Sequence, residues 1–361
     1  MAADDSILPG QRLRGRGADS NRAGRFERHG REAHDDGWDL AEDERLIRTE
    51  TRIERPRSAI TWNRSPDLPF DRSINPYRGC EHGCVYCYAR PSHAFLNLSP
   101  GLDFETRLIA RPGIAEVLDG ELRRPAYKVA PIAIGTNTDP YQPIDREHGL
   151  MRQVLGVLSA FRHPVWITTR GTLVERDIDL IAPMAADGLA AVSVSVTTLD
   201  EDLARRMEPR APSPKRRLAM IRALASAGIP VRVQVSPLIP ALTDHELEAL
   251  MDAGAKAGAT YANSIPLRLP LEVAALFRRW IEATFPDRAA RVMGRVRELH
   301  GGRDYDPEFG TRMTGQGLWA DLIHRRADVA RNRLGLGSGL PPLRSDLFRP
   351  PPRAGDQLTL F

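Results

Sequence analysis

Short runs of apolar, strand-forming residues recur along the chain and alternate with longer stretches of helical spacing. The runs occupy 131–135, 164–169, 190–197, 230–235 and 260–266. Their starts lie 26 to 40 residues apart, which is the length of a unit made of one strand and one helix. An extended stretch at 72–77 precedes them, so the pattern predicts six parallel strands joined by helices.

The stretches between these runs carry helix-boundary signals. Ser213 before Pro214 predicts a helix start, and Gly228 predicts the end of the same helix. The Thr243–Glu246 stretch has the pattern of a capping box, which predicts a second helix start. One face of a later helix is expected in the core, and it consists of Val273, Phe277, Trp280 and Ile281.

These elements predict the α/β class, as a partial (β/α)6 TIM-like barrel with N- and C-terminal extensions. Functional groups are then expected at the carboxyl ends of the strands. Ser193 and Ser195 share one face of a strand, so their hydroxyls point either into the barrel or to neighbouring backbone groups. The polar residues at strand ends are Thr136, Asn137, Thr138, Asp139, 168–170, Thr197, Thr198 and Ser236.

Length and composition fit one such barrel with additional segments. The 361 residues are 42% hydrophobic and 27% charged, which excludes wholesale disorder. Residues 1–60 are poor in apolar residues, so we expect an arginine-rich, flexible N-terminal extension there. The core is expected at 70–300, a helical extension at 301–340, and a flexible tail at 341–361.

The excess positive charge of the chain is concentrated in one stretch. The net charge is +4, and residues 11–32 alone hold seven arginines and three acidic residues. This stretch could serve as a phosphate-contacting arm or simply as a solvated tail. A run of about 18 apolar residues is absent, and the acidic start lacks an apolar signal region, so we expect a cytoplasmic protein with no membrane segment.

Three cysteines carry the clearest chemistry. Cys80, Cys84 and Cys87 are the only cysteines of the chain, in a C-x3-C-x2-C pattern that is too tight for a disulfide framework. Thiolates are the ligands that iron–sulfur clusters require, and three cysteines leave one of four irons open for a ligand. The alternatives are a zinc site completed by His82 or His93, and purely structural cysteines.

The cysteine motif resembles that of the radical S-adenosylmethionine (SAM) superfamily, and the resemblance covers about 70–300. Within that superfamily the chain is similar to the branch related to spore photoproduct lyase, which is described as DNA repair photolyase-like. The stretches that support this branch are 75–80, 135–141, 208–214 and 235–240.

The resemblance implies a [4Fe-4S] cluster that reductively cleaves SAM to a 5′-deoxyadenosyl radical, with electrons from a donor such as flavodoxin or ferredoxin. It implies that Cys80, Cys84 and Cys87 bind the cluster and that Tyr86 packs on the adenosyl group. The stretch 136–139 would contact the SAM amino group. Candidates for the ribose and carboxylate contacts are Ser193, Ser195, Gln234 and Ser236.

The chain departs from spore photoproduct lyase in one respect. That enzyme uses an additional cysteine to return a hydrogen atom to its product radical, and this chain has none outside the motif. Hydrogen would return from 5′-deoxyadenosine or from another donor. Tyr141 is the candidate for a catalytic donor, and the alternative is that it is a packing residue.

The last five residues, Gln357–Phe361, read Gln-Leu-Thr-Leu-Phe and follow a stretch rich in proline and glycine. They resemble the short motif with which bacterial repair proteins bind the DNA polymerase sliding clamp. Two leucines and a phenylalanine could fill an apolar groove on that partner, or they could pack on the chain's own domain.

Three functions follow from these observations. The first is a radical SAM enzyme that acts on nucleic acid, as in lyase-type DNA repair. The second is a radical SAM enzyme that modifies a protein or a small molecule. The third is a metal-stabilised nucleic-acid-binding protein without catalysis.

Overall fold

The computed structural model describes residues 15–21, 24–26, 48–339 and 342–353. The strands in this part of the chain are β1 (Glu50–Ile53), β2 (Ile60–Trp62), β3 (Arg72–Ile74), β4 (Tyr77–Arg78), β5 (Arg107–Ala110), β6 (Ile132–Ile134), β7 (Val165–Thr169), β8 (Ala190–Ser195), β9 (Val231–Leu238) and β10 (Tyr261–Pro266).

The α-helices are α1 (Asp103–Thr106), α2 (Ile114–Leu122), α3 (Asp145–His148), α4 (Leu150–Ala160), α5 (Ile178–Ala186), α6 (Glu201–Met207), α7 (Pro214–Ser226), α8 (Leu247–Lys256), α9 (Glu272–Thr284), α10 (Pro286–Leu299) and α11 (Leu318–Leu334). Short 3₁₀ helices occupy Arg90–Leu96, Thr172–Asp177 and Asp244–Glu246. Among the described residues, no helix is both long enough and apolar enough to span a bilayer.

The main sheet is the predicted partial barrel. Six strands, β3, β6, β7, β8, β9 and β10, run parallel in chain order, and β2 adds an antiparallel strand beside β3. The sheet is open, because β10 and β2 form its two edges. All six parallel strands fall within or overlap the stretches that the apolar runs predicted, which confirms the fold class.

The two faces of this sheet differ in chemistry. Alternate residues such as Val192, Val194 and Val233 belong to the apolar core beneath the helices. The opposite, inward face is polar on three neighbouring strands, where it presents Thr168, Ser193, Ser195, Arg232 and Gln234. Parallel barrels usually fill this space with branched aliphatic side chains, so the polar wall indicates room for a ligand.

A second sheet, in the order β1-β5-β4, was not predicted. Its strands have only two to four residues, and β1 is exposed along its whole length, so no apolar alternation marks them. This sheet supports the cysteine segment, because β4 ends two residues before Cys80 and the Cys80 amide donates to the Phe104 carbonyl at 2.9 Å.

Both helix starts were predicted correctly, but the capping box expected at α8 is not formed. The Ser213 hydroxyl accepts from the Arg216 amide and caps α7 as predicted, and Gly228 follows the helix with a positive φ of 76°. The Thr243 hydroxyl instead accepts from the Ile239 amide, and Glu246 binds the turn at Thr198. No side chain caps α8, because both members of the expected box serve tertiary contacts. The predicted apolar face of α9 packs in the second core cluster.

Two segments near the ends of the chain lie at opposite ends of the barrel. Residues 15–21 contact the cysteine segment and α1 beside the carboxyl ends of the strands. Residues 342–353 run along the amino ends, where the Arg344 amide donates to Gly188 and the Arg349 amide donates to Phe161. The predicted domain boundaries stay predictions, and Gln357–Phe361 lie outside the described residues.

Candidate active site around the cysteine loop

The cysteine loop, residues 79–87, follows the first parallel strand at the carboxyl end of the barrel. Cys80 and Cys84 are buried, and Cys87 is partly exposed. Gly79 and Gly83 have positive φ angles of 76° and 69°. A Cβ atom at Gly83 would lie 2.8 Å from a Glu105 carboxylate oxygen, so both the backbone conformation and the close packing require glycine.

A buried amide holds the first turn of this loop. The Gln142 side chain accepts from the Glu81 amide at 2.9 Å and donates to the Gly79 carbonyl at 3.0 Å. Gln142 is fully buried, so these two bonds form without competition from water. The turn that contains Cys80 is therefore fixed by the loop after β6.

A buried ion pair holds the second turn. The Arg90 guanidinium donates to the Cys84 carbonyl at 2.9 Å and pairs with the Glu105 carboxylate. Glu105 also accepts from the amides of Gly17 and Ala18 at 2.9 and 2.7 Å. Neither Arg90 nor Glu105 is exposed to solvent, so the pair is a fixed element of the site.

A second arginine reaches a cysteine sulfur directly. Arg170, just after β7, lies 2.9 Å from Cys84 Sγ, 2.9 Å from the Tyr86 hydroxyl and 2.8 Å from Glu208 Oε1. Glu208 is buried and also pairs with Arg217, which is buried as well. Two arginines and one carboxylate thus form a polar network beside Cys84, with a net positive charge.

Asp139 joins the loop after β6 to the loop after β7. Its carboxylate accepts from the Thr169 hydroxyl at 2.6 Å and from the Arg170 amide at 2.8 Å, and His82 lies 3.5 Å away. Burial by itself raises the pKa of Asp139, but His82 and these hydrogen bonds outweigh it and hold the pKa well below its usual range. Asp139 is therefore a buried carboxylate that sets the position of Arg170.

Cys80 and Cys84 are protonated when no metal is present. Burial raises the pKa of Cys84 to about 12 although Arg170 opposes the shift, and burial also raises the pKa of Cys80 well above its usual value. Metal binding must therefore displace protons from the thiols. In the described part of the chain, three or more metal-ligating side chains nowhere converge on a single point. His93 Nε2 instead lies 3.0 Å from the Arg107 carbonyl, which disfavours a single zinc ion.

The model of the radical SAM superfamily matches residues 74–254, which include the cysteine loop and the strands from β6 to β9. The chain belongs to the radical SAM superfamily. Members of this superfamily use a [4Fe-4S] cluster and SAM. The donor set fits the cluster, because the three thiols of one glycine-shaped loop can each bind a different iron and need not converge on one point.

Two relatives match this chain over part of its length. An uncharacterised protein of Mycobacterium tuberculosis is 40% identical over 242 residues, which are 66% of this chain and 70% of that protein. An uncharacterised protein of Methanocaldococcus jannaschii is 27% identical over 173 residues, 48% of this chain and 62% of that protein.

The fold is similar to that of spore photoproduct lyase. A structure of this lyase complexed with dinucleoside spore photoproduct has a TM-score of 0.59 and 16% sequence identity, and the match covers 80% of this chain and 81% of the lyase chain. A mutant of the lyase with bound AdoMet and dinucleoside spore photoproduct gives a TM-score of 0.57 at the same identity and coverage.

Several residues predicted to contact SAM in this radical SAM protein lie on the inward face of the barrel. Ser193 and Ser195 are buried on β8, and Gln234 and Ser236 are partly buried on β9. Ser195 and Gln234 are paired in register, so their side chains lie side by side. These four positions share one wall, which the spacing had predicted for Ser193 and Ser195, and the contacts of all four with SAM stay predictions.

Two residues of the loop at 136–139 make structural hydrogen bonds that the sequence did not indicate. The Thr138 hydroxyl donates to the Tyr77 carbonyl at 3.0 Å, and Asp139 is bound as described above. Thr136 and Asn137 are partly exposed. The predicted contact with the SAM amino group therefore rests mainly on Thr136 and Asn137.

Tyr86 and Tyr141 occupy different environments. The Tyr86 hydroxyl is bound by Arg170 and Glu208 next to Cys84, so the structure brings Tyr86 to the cluster site. Tyr141 is 1% exposed and belongs to the main apolar core, and its hydroxyl has no hydrogen-bond partner. Its predicted hydrogen-donor role stays a prediction.

Sequence reasoning did not assign roles to Gln142, Glu105, Arg90 and Glu208. The signals for two of the residues in the site were visible, because Arg170 stands at a strand end and Glu208 begins one of the stretches that support the family resemblance. The contacts of Arg170 with Cys84 and with Glu208 could not be read from the sequence, since they join positions more than thirty residues apart along the chain.

Proposed function

We propose that this radical SAM enzyme acts on nucleic acid, in a lyase-type DNA repair or modification reaction. The observation that carries the proposal is the likeness of the fold to spore photoproduct lyase over about four fifths of both chains. That lyase was solved with a dinucleoside photoproduct bound. The polar inner wall of the barrel also suits a substrate rich in hydrogen-bonding groups.

The residues around the cysteine loop would hold the cofactors and keep their surroundings fixed. Cys80, Cys84 and Cys87 would hold the cluster, which together with SAM supplies a 5′-deoxyadenosyl radical that removes a hydrogen atom from the substrate. Arg170 is held by Glu208 and would keep its donor aimed at the Cys84 sulfur. The buried pairs beneath the loop exclude water from this position.

The decisive experiment measures SAM cleavage in the presence of DNA. Anaerobically reconstituted protein receives dithionite, SAM and either ultraviolet-irradiated or untreated DNA, and 5′-deoxyadenosine is measured by mass spectrometry. We expect irradiated DNA to stimulate product formation, and we expect none from the Cys84→Ala variant. Equal product with both DNAs, together with no DNA binding at low salt, would instead favour a protein or a small molecule as substrate.

The two alternatives are separable by analysis of the purified protein. A radical SAM enzyme that modifies a protein or a small molecule would carry iron and sulfide but show no salt-dependent DNA binding. A metal-stabilised binding protein without catalysis would contain zinc rather than iron. The absence of a convergent metal site within the described residues speaks against this third function.

Hydrogen return to the substrate is proposed to use Tyr141 or 5′-deoxyadenosine. The two sources differ in exchange with solvent, because a tyrosine O–H exchanges with D₂O and the C5′ hydrogens do not. Reaction in D₂O should therefore place deuterium in the product if Tyr141 is the donor. The Tyr141→Phe variant should lose that label, and an unlabelled wild-type product would assign the return to 5′-deoxyadenosine.

Three features of the cellular setting are part of the same proposal. The enzyme needs a reductant, for which we propose flavodoxin or ferredoxin. The three reduced cysteines suit a cytoplasmic location. The Gln357–Phe361 motif would bind the DNA polymerase sliding clamp, so deletion of these five residues should abolish co-elution with purified clamp. No binding by the intact protein would rule out the clamp.

A further inference from the structure

The inner wall of the barrel holds a cation that lacks a carboxylate partner. Arg232, on the inward face of β9, donates to the Ser193 hydroxyl at 3.0 Å and lies 3.4 Å from the Gln234 amide oxygen. Both partners are neutral. Among the residues that the structure describes, no carboxylate lies within ion-pair distance of this guanidinium, and no charge offsets the effect of burial on it.

Burial lowers the pKa of Arg232 to about 10, which still leaves the side chain positively charged at neutral pH. An unpaired charge inside a protein is costly, because the lost hydration is not replaced by an opposite charge. Burial is less costly for Arg90 and Arg217, because each forms an ion pair with a buried glutamate. The arrangement at Arg232 is therefore suited to a negatively charged ligand.

The backbone of Arg232 lies nearer the amino end of the barrel than the cluster site does. Arg232 is in register with Ser193 on β8, and Ser193 is in register with Thr168 on β7. Arg170 lies two residues beyond Thr168, or about 7 Å nearer the carboxyl end of the barrel. The Arg232 backbone thus lies one inward layer below the pair Ser195 and Gln234, on the side away from the cysteine loop.

Further polar atoms of the strands that form this barrel are unpaired. The indole N–H of Trp166, on β7, is buried without an acceptor, and the side-chain oxygen of Asn263, on β10, is buried without a donor. Trp166 alternates with core residues Val165 and Ile167, so it lies on the inward face. The strands of this wall therefore offer one donor and one acceptor to a ligand.

We propose that Arg232 anchors a subsite for a phosphodiester group of the nucleic-acid substrate on the inward face of β9, next to Ser193. The proposal rests on the proposed nucleic-acid function. A phosphodiester keeps its negative charge at neutral pH and matches the fork of the guanidinium group. Trp166, two strands away on β7, adds a donor for the sugar or base, and Asn263, on the adjacent β10, adds an acceptor.

The test compares two ligands that differ only in charge. Thymidylyl-thymidine has a single phosphodiester, and its methylphosphonate analogue has nearly the same shape without the charge. Each is titrated into the reconstituted holoenzyme with SAM bound, and binding is followed by ³¹P NMR. Wild-type protein should bind the phosphodiester about tenfold more tightly, as expected for one charge-assisted contact.

Variants then assign this preference to Arg232. Arg232→Gln should bind both ligands equally, and Arg232→Lys should keep part of the preference because it retains the charge. Arg222→Gln removes an equal charge from the exposed face of α7 and should behave like the wild type. Thermal unfolding of each variant verifies that the fold is intact.

Other outcomes separate failure of this proposal from failure of the proposed function. Equal binding of the two ligands by the wild type would overturn the Arg232 subsite and leave the nucleic-acid function standing. No binding of either ligand would contradict both. If Arg232→Gln keeps the ligand preference but no longer binds SAM in a separate titration, Arg232 contacts the SAM carboxylate and the phosphodiester subsite is overturned.

Discussion

At the scale of single residues, the site depends on a few buried charges that set the surroundings of the cysteines. Arg170 donates to the Cys84 sulfur, and Glu208 offsets part of its charge. Reduction adds negative charge to an iron–sulfur cluster, so a nearby cation stabilises the reduced form. Arg170 and Glu208 should therefore change the reduction potential of the bound cluster in opposite directions.

We predict that Arg170→Gln lowers the reduction potential of the reconstituted cluster and that Glu208→Gln raises it. One charge-assisted hydrogen bond is worth about 1.5–3 kcal/mol, which corresponds to roughly 60–130 mV for one electron. A redox titration monitored by EPR measures the midpoints, with Arg222→Gln as the surface control. Midpoints that coincide with the wild type would show that this network does not act on the cluster.

The Arg90–Glu105 pair gives a prediction about stability. Glu105→Gln leaves Arg90 buried without its counter-ion and weakens two backbone contacts of residues 17 and 18. We expect the free energy of unfolding, measured in denaturant, to fall by about 3–5 kcal/mol. We also expect a lower iron content after reconstitution. Glu116→Gln, exposed on α2, is the matched control. Unchanged stability would mean that the pair adds nothing net.

The sequence was most informative for residues whose chemistry is rare and local. The three cysteines and their glycine could be assigned because they stand within eight residues of one another. Gln142 and Glu105 are common residue types, and they act on the loop from positions distant in the chain. Only the folded arrangement shows that they hold the backbone of the cysteines.

At the scale of elements, the prediction succeeded for the parallel strands of the barrel, including the three-residue strands β3 and β6, and failed for the second sheet. The strands β7, β8 and β9 have five to eight residues with clear alternation, so they were found. The strands β1, β4 and β5 are too short to show a period. The predicted capping box failed because Glu246 binds a neighbouring turn instead.

Because residues 15–21 pack tightly on the cysteine loop, we predict that one added methyl group in this segment weakens iron retention. A Cβ atom at Gly17 would lie 1.7 Å from the Gly83 carbonyl oxygen, so Gly17→Ala must push the segment away from the loop. We expect a several-fold faster loss of iron to a chelator. Gly24→Ala meets its nearest atom at 3.4 Å and should lose iron at the wild-type rate. Equal rates for both variants would contradict a supporting role of the segment.

At the scale of the whole molecule, segments near the two ends of the chain cover opposite ends of the barrel. Residues 15–21 lie at the cysteine end, and residues 342–353 lie at the amino ends of the strands. There Phe348 packs edge-on against His163 at 5.5 Å between ring centroids and also contacts Tyr127. His163 is fully buried, so its protonation state matters for the attachment of the second segment.

Acid should destabilise the molecule through His163. Burial lowers the pKa of His163 to about 4, a shift that Arg72 increases and the Pro164 carbonyl opposes. The Tyr127 hydroxyl lies 2.7 Å from His163 Nε2, so it can donate only while that nitrogen is unprotonated. The unfolded chain, with a histidine pKa of about 6.5, binds the proton more readily, and stability should fall as pH drops from about 6.5 to 4.

The loss at pH 4.5 should amount to about 2.5 kcal/mol, because the pKa difference of about 2.5 units is worth about 1.4 kcal/mol per unit and about three quarters of that total is lost at this pH. Urea unfolding of the wild type and of His163→Gln at pH 7 and pH 4.5 measures this loss. The change in unfolding free energy between the two pH values is compared for the two proteins, so the contributions of other titrating groups cancel. The variant should be less stable than the wild type at pH 7 but should lose less stability on acidification. Parallel pH dependences would show that the pKa of His163 is not lowered in the folded protein and would contradict this prediction.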